Sequence, residues 1–244
     1  MLPKIDVPVY DMTLLSTGKK IKFRPFTVKE EKLFLMANEA DDFKSIVDCI
    51  KQVINNCVIS KINIDELPIF DIEQIFLNLR SKSVGEVVNL RYKCNNTVTD
   101  EETKEEKTCN HIIDIDVNIS DIIPKKLPKI DNKIEITENL GIVLSFPKFK
   151  TFEEFSEETT EESITETLIS CIDYIYDKEE IYYPKDFKKE ELIEFVDSMQ
   201  AKDMQKFQEF FNNLPKLEKE VHFKCTKCNY EEKLLLEGLE NFFV

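Results

Sequence analysis

The sequence predicts an α+β fold with a helix-rich core, short antiparallel hairpins and a zinc-ribbon-like module formed by two sequence-distant knuckles. Three observations predict it. Apolar residues recur at helical spacing along several long segments. Short extended stretches flank turn residues, as they do in hairpins. Four of the seven cysteines stand at the ends of such stretches.

Composition and charge restrict the possible partners. Of the 244 residues, 42% are hydrophobic, which is enough to fill a core, and 33% are charged. The formal net charge of −15 repels nucleic-acid phosphates and anionic lipid headgroups. We therefore expect neither nucleic acid nor a membrane among the partners.

The start of the chain and its hydropathy indicate a cytosolic protein. Residues 1–6 lack the basic and apolar segments of a secretion signal. No stretch approaches the ~18 consecutive apolar residues of a membrane helix. Cytosolic cysteines stay reduced, so paired cysteines favour metal binding over disulfides.

The first third of the chain predicts a hairpin followed by three helices. A Ser-Thr-Gly turn at 16–18 joins the two strands, and Thr27 with Glu30 forms a capping box that opens the first helix. Asp71 is a candidate N-cap for the third helix. The predicted strands cover 9–15 and 20–23, and the second and third helices cover about 42–57 and 71–82.

The middle of the chain predicts a hairpin with a long polar insertion. One strand, 87–93, ends at Cys94, and another, 111–119, follows Cys109. The acidic loop between them, 95–108, has almost no large apolar residue, so we expect it to be exposed and mobile. Two prolines in 121–131 indicate a linker.

The last part of the chain predicts a further hairpin, three helices and a closing knuckle. Gly141 stands near the turn of that hairpin. The predicted strands cover 133–137 and 142–146. The predicted helices cover 151–177 with a break near 159–160, a segment that starts at Asp186, and 201–212. The closing strands cover 221–225 and 231–236.

These changes of pattern divide the chain into four regions. Residues 1–85 contain the N-terminal hairpin and helices, and 86–120 the first knuckle hairpin with its acidic loop. Residues 121–216 contain a linker, a hairpin and a helical region, and 217–244 the C-terminal knuckle hairpin and tail. We expect one compact unit in which 86–120 packs with 217–244.

A CxxC motif, Cys225 and Cys228, lies on a tight turn between two strands, which is typical of a zinc-ribbon knuckle. Two thiolates placed there can share one tetrahedral ion, but a closed site needs a second pair. Cys94 and Cys109 can supply it, although they are 15 positions apart.

The residues around the two cysteine pairs support this pairing. Segments 90–94 and 221–225 both read apolar, basic or His, aromatic, Lys, Cys, and both second cysteines precede Asn and an extended stretch. We interpret this as one knuckle hairpin used twice. The predicted ligands of a structural Zn²⁺ are Cys94, Cys109, Cys225 and Cys228, a closed set without a position for a reactive water.

Two alternatives remain open at this site. A redox role of the CxxC requires a thioredoxin-like setting in which the motif opens a helix. His111 or His222 is a possible substitute for a cysteine ligand. Elsewhere no phosphate loop or nucleophile motif appears, so we expect no enzymatic activity and no small-molecule substrate.

Four stretches, 16–32, 79–86, 94–96 and 222–228, carry a family resemblance. They resemble the baseplate hub proteins of T-even-like tailed bacteriophages, and the resemblance spans most of the chain. It implies a non-enzymatic hub subunit or hub assembly factor whose partners are other phage baseplate hub or tail proteins. It also implies a location in the host cytoplasm during assembly and, for a hub subunit, in the virion tail.

A second functional hypothesis is a zinc-ribbon adaptor in transcription. It requires basic residues at the knuckles, and Lys93, Lys224 and Lys227 are present, but the acidic loop and the total charge disfavour it. Partner contacts are conceivable at Arg24 and at the aromatic end 242–244. Packing within the chain is the alternative at both places.

Overall fold

The computed structural model describes residues 3, 5–40, 42–99, 104–122, 129–151 and 161–238. Helices and antiparallel hairpins coexist in it, so the α+β prediction is confirmed. The α-helices are α1 Val28–Ala40, α2 Phe43–Cys57, α3 Ile69–Ser83, α4 Glu161–Ser170, α5 Lys189–Asp197 and α6 Ala201–Asn212. The strands are β1 Tyr10–Thr13, β2 Lys20–Phe23, β3 Val87–Lys93, β4 Thr97–Thr99, β5 Glu106–Thr108, β6 Ile112–Asn118, β7 Lys133–Glu135, β8 Gly141–Leu144, β9 Ile172–Tyr176, β10 Ile181–Tyr182, β11 Glu218–Lys224 and β12 Glu231–Glu237.

The β1–β2 hairpin packs with α1, α2 and α3 around one apolar core, as the sequence predicts. Gly18 has a φ of 67° in the turn, a conformation that glycine adopts without strain. Cys49 and Cys57 are buried in this core, and burial raises the pKa of each thiol to about 11. Both therefore pack as small apolar side chains.

Asp71 has a different role from the predicted one. Helix α3 begins at Ile69, and its N-cap is Pro68, which is in the extended conformation usual for an N-cap residue. Asp71 is fully buried, and its Oδ1 accepts hydrogen bonds from the N–H groups of Leu15 (2.9 Å) and Ser16 (3.2 Å). Its other oxygen accepts from the Ser16 hydroxyl. The carboxylate thus fastens the β1–β2 turn to α3.

The predicted capping box at the start of α1 is part of a buried ion pair. Glu30 accepts hydrogen bonds from the N–H (2.9 Å) and the hydroxyl (2.7 Å) of Thr27. Its Oε1 also lies 3.0 Å from Nη2 of Arg24, and the Glu30 side chain is only 1% exposed. Arg24 is therefore engaged within the chain, which favours the packing alternative for this residue.

Glu30 makes the stability of the protein depend on pH. Burial raises the pKa of its carboxyl, but hydrogen bonds from Arg24 and Thr27 outweigh burial and lower the pKa from 4.5 to about 2. A depressed pKa adds stability above pH ~4.5 that is lost as the pH falls towards 2. We expect Glu30→Gln to lower the free energy of unfolding at pH 7 by about 2–3 kcal/mol.

Denaturant titrations of the wild type and Glu30→Gln at pH 7, 5, 4 and 3 test this prediction. The difference between them should shrink steadily below pH ~4.5. Glu31→Gln, an exposed neighbour on the same helix, is the matched control and should change stability by less than about 0.5 kcal/mol. A Glu30→Gln deficit that is the same at every pH would contradict the account.

A four-stranded antiparallel sheet in the order β10-β9-β8-β7 forms a second layer. The second predicted hairpin is its β7–β8 pair. Apolar side chains of the sheet pack with α4, α5 and α6 around a separate core. Its most buried members are Ile134, Ile142, Leu144, Leu168, Ile172, Val196, Phe207 and Phe210.

The predicted helix over 151–177 is wrong at its C-terminal end. Helix α4 ends at Ser170, and β9 pairs with β8 through Ile175 and Ile142. The apolar spacing of this segment fits a helix, but its β-branched and aromatic residues favour a strand once a partner strand is available. The predicted break at 159–160 lies outside the described residues.

Two further expectations need correction. Asp186 belongs to a 3-10 turn, Pro184–Asp186, and α5 begins only at Lys189, because Glu191 accepts the Lys188 N–H at 2.8 Å and caps the helix there. Within the loop 95–108, β4 and β5 pair with each other, which the sequence did not predict, although their residues are mostly exposed as expected. Most of the linker 121–131 lies outside the described residues.

The two long hairpins, β3–β6 and β11–β12, pack on α3 through a third core. Its members are Phe76, Leu77, Val88, Ile115, Val117, Ile119, Ile122, Leu217, Phe223 and Leu236. The division of the chain at 85, 120 and 216 stays a prediction. Within the described ranges, no helix combines the length and apolarity that crossing a membrane requires.

Candidate metal centre

The structure brings the four predicted cysteines together at one end of the two long hairpins. Cys94 follows β3, Cys109 precedes β6, and Cys225 and Cys228 lie in the turn between β11 and β12. All four sulfur atoms lie within 4.8 Å of one another. We call this group the cysteine cluster. The predicted ligand role of its members stays a prediction.

Two short sulfur–sulfur distances join one hairpin to the other. Sγ of Cys94 lies 3.7 Å from Sγ of Cys228, and Sγ of Cys109 lies 3.8 Å from Sγ of Cys225. Sulfurs around a tetrahedral Zn²⁺ with Zn–S bonds of about 2.3 Å are about 3.8 Å apart. The cluster therefore has the donor set and the spacing that a four-thiolate metal site requires.

The two halves of the cluster have the same backbone geometry. The N–H of Cys94 donates to the carbonyl of His111, and the N–H of Cys225 to that of Tyr230, both at 2.8 Å. The N–H of the asparagine after each second cysteine returns to the first cysteine, from Asn110 to Cys94 at 3.0 Å and from Asn229 to Cys225 at 2.9 Å. The structure thus contains two equivalent knuckles.

The hairpins below the knuckles are equivalent as well. Each consists of two seven-residue strands paired without a register shift. Tyr92 and Phe223 hold equivalent positions two residues before the first cysteine of each knuckle. Their rings meet with centroids 4.6 Å apart, and the Tyr92 hydroxyl donates to Glu232 at 2.9 Å. Aromatic packing therefore joins the hairpins next to the cluster.

One known protein family matches nearly the whole chain. Residues 7–244 match the family described as T4 bacteriophage base plate protein. The chain belongs to this family. A search of curated proteins and a search of solved structures found no match. Family membership implies association with other tail or baseplate proteins of the phage.

The insertion of the baseplate protein does not separate the cysteines of its first knuckle. The N–H of Cys109 donates to the carbonyl of Asn96 at 2.8 Å, which closes the insertion at its base. Beyond this bond β4 and β5 pair from Thr97↔Thr108 outwards. The described strands of the insertion, β4 and β5, therefore form a hairpin arm on a knuckle of ordinary geometry.

Both histidines of the baseplate protein contact other groups. Nε2 of His111 lies 2.9 Å from the hydroxyl of Thr226 in the opposite knuckle. Nε2 of His222 lies 2.7 Å from a carboxylate oxygen of Glu220. Neither belongs to the group of converging ligand atoms, so the geometry favours four cysteines over a mixed site.

The pKa values of the cluster thiols differ because their surroundings differ. The Tyr230 N–H donates to Cys228 and, with contacts from the other thiols and Asn96, lowers its pKa to about 6. Burial raises the pKa of Cys94 to about 12 and also raises that of Cys109. A negative charge on one thiolate disfavours ionisation of its neighbours. Several thiolates in this space therefore require a compensating cation.

Sequence reasoning noted the asparagine after each second cysteine but assigned it no role. Asn110 and Asn229 have φ values of 54° and 59°, in the left-handed region that the knuckle turn requires. Asparagine tolerates this region better than other residues with a side chain. The Cys-Asn pair that both knuckles repeat is the feature of the sequence that indicates this turn conformation.

Substitutions of Asn229 should separate backbone conformation from side-chain identity. We expect Asn229→Gly to keep full metal content and wild-type stability, because glycine reaches positive φ freely. Asn229→Val should lower the free energy of unfolding by about 2 kcal/mol and weaken metal retention. Thermal unfolding and metal analysis of both variants check this, and equal behaviour of Gly and Val would contradict it.

Proposed function

We propose that this chain is a non-enzymatic structural or assembly protein of the baseplate hub and that its cysteine cluster holds a structural zinc ion. The convergence of four cysteine sulfurs, including pairs that are 116 and 134 positions apart in the sequence, is the observation that carries the zinc assignment. Thiolates are soft ligands that favour zinc, and a closed four-thiolate set gives the ion a structural role.

The ion would act by joining two segments that the sequence separates widely. Cys94 and Cys109 fix the end of the first long hairpin, and Cys225 and Cys228 fix the end of the second. Bound zinc supplies positive charge for the thiolates and folding free energy for the unit. The rings of Tyr92 and Phe223 pack beneath it, so the two hairpins present one rigid surface.

The hub assignment rests on the sequence resemblance and is supported by where its residues lie. The block 16–32 forms the turn fastened by Asp71 and the buried pair of Arg24 and Glu30. The blocks 94–96 and 222–228 form the knuckles. The resemblance therefore falls on residues that define the fold, and a non-enzymatic role agrees with the absence of catalytic motifs from the sequence.

The transcription-adaptor hypothesis has less support. Lys224 pairs with Glu231 at 2.8 Å across its own hairpin, so this cation is not free for a nucleic-acid phosphate. The family is a baseplate family, and no contact in the described part of the chain favours nucleic acid.

Affinity purification of the tagged chain from phage-infected cells tests the proposal. We expect other baseplate and tail proteins among the co-purified components, identified by mass spectrometry. Mature particles purified alongside distinguish a hub subunit, which they retain, from an assembly factor, which they lack. Recovery of transcription proteins without tail components would overturn the proposal.

A further inference from the structure

A surface groove of about 600 Å³ lies between the β9–β10 hairpin, helix α5 and the turn that joins β7 to β8. Its size falls within the ~300–1,000 Å³ typical of binding sites. Ile175 and Leu192 are buried in it, whereas Phe187 is 41% exposed. The apolar side chains that line it are Leu140, Ile175, Tyr182, Phe187, Leu192 and Phe195.

The charged side chains that line this groove are all acidic. Asp177 accepts hydrogen bonds from the N–H groups of Glu180 and Glu179, both at 2.8 Å, and from the Tyr182 hydroxyl, which together lower its pKa. Glu191 accepts the Lys188 N–H and is held in place. The carboxylate of Glu194 has no ion-pair or hydrogen-bond partner among the described residues.

The combination of apolar lining and unneutralised carboxylates restricts the occupant. An apolar side chain gains free energy when it leaves water for such a surface. Carboxylates that remain ionised beside it favour a cation and disfavour an acidic partner. A second copy of this chain is a poor occupant, because each copy carries a net charge of −15.

We infer that the groove binds a segment of a partner protein in which apolar side chains stand next to Lys or Arg. This inference rests on the proposed function, because it gives the chemistry of one contact with another baseplate protein. The groove belongs to the four-stranded sheet layer and not to the cysteine cluster. Metal content and baseplate association therefore test the proposed function separately from this groove.

Three fluorescent synthetic peptides of about twelve residues can test the inference on the full chain. The first alternates Leu with Lys, the second alternates Leu with Glu, and the third alternates Ser with Lys. In fluorescence anisotropy at physiological salt we expect the first to bind at least about tenfold more tightly than either of the others. If none binds, or if the second or third binds as tightly as the first, the inference is wrong.

Matched charge variants show whether binding occurs in this groove. Glu194→Lys should lower the affinity for the Leu-Lys peptide about tenfold, because it reverses a charge in the lining. Glu190→Lys makes the same change on an exposed residue of α5 outside the lining, and it should lower this affinity less than about threefold. Phe187→Ala should also lower the affinity for the peptide, and circular dichroism checks that this variant is folded. Equal losses in the two Lys variants would mean attraction by total charge and would overturn the inference.

Discussion

Removing the zinc ion that we propose for the cysteine cluster should unfold the two long hairpins. Four-cysteine zinc sites contribute on the order of 10 kcal/mol of folding free energy, which is as large as the whole stability of a typical domain. Without the ion, nothing bonds the sulfurs of β3–β6 to those of β11–β12, so we expect the two hairpins to separate at this end. We expect chelation under reducing conditions to raise amide hydrogen exchange sharply in both hairpins, with a smaller change in α2 and α3.

Two cysteine-to-alanine variants separate loss of metal from loss of packing. Cys228→Ala removes one of the four sulfurs and should reproduce the effect of chelation, with loss of bound zinc. Cys49→Ala removes a buried sulfur of the N-terminal core and should cost only about 1 kcal/mol, with zinc retained. If hydrogen exchange in the hairpins is the same before and after chelation, the cluster does not hold them together.

Asp71→Ala should produce the largest loss of stability outside the cluster. The substitution leaves the N–H groups of Leu15 and Ser16 and the Ser16 hydroxyl without their acceptor beneath the β1–β2 turn. A buried donor without a partner costs roughly 1–3 kcal/mol. We expect a decrease of about 3 kcal/mol in the free energy of unfolding, measured by denaturant titration.

Two control variants give this prediction a sharp test. Asp71→Asn keeps an oxygen that can accept from the backbone N–H groups and should lose only about 1 kcal/mol. Asp65→Ala removes a carboxylate that is 45% exposed and pairs with Lys51, and should lose less than about 0.5 kcal/mol. A loss from Asp71→Ala no larger than that from Asp65→Ala would show that the turn does not depend on this carboxylate.

The sequence predicted the parts of the fold whose local signals agree with their packing. Helix α6 covers 201–212 as expected, and α2 follows Asp42, whose carboxylate accepts the Ser45 N–H at 2.8 Å. The N-terminal hairpin was found through its glycine turn. In each case the apolar period and the turn or cap residue indicate the same element.

Two of the errors lie where long-range contacts outweigh the local pattern. Residues 172–176 have helical spacing, yet they join a sheet whose neighbouring strand, β8, is about thirty residues earlier in the chain. Asp71 looks like an N-cap, but its partners are at 15 and 16. Neither relation can be read from one segment, because the partner becomes visible only in three dimensions.

The cluster was predictable because the chain contains the same knuckle twice. Matching residues around Cys94 and Cys225 predicted that the two hairpins are equivalent, and the φ values of Asn110 and Asn229 agree with that equivalence. The hairpin arm β4–β5 was not predictable, because its polar residues carry little apolar alternation. Its short ladder depends on the knuckle that closes it.

Zinc K-edge X-ray absorption on the purified, reduced chain tests the central claim most directly. The account predicts one zinc per chain with four sulfur neighbours at about 2.3 Å and no nitrogen or oxygen in the shell. A zinc-free protein whose cluster thiols are alkylated as fast as those of the unfolded chain would contradict it, as would a mixed sulfur and nitrogen shell.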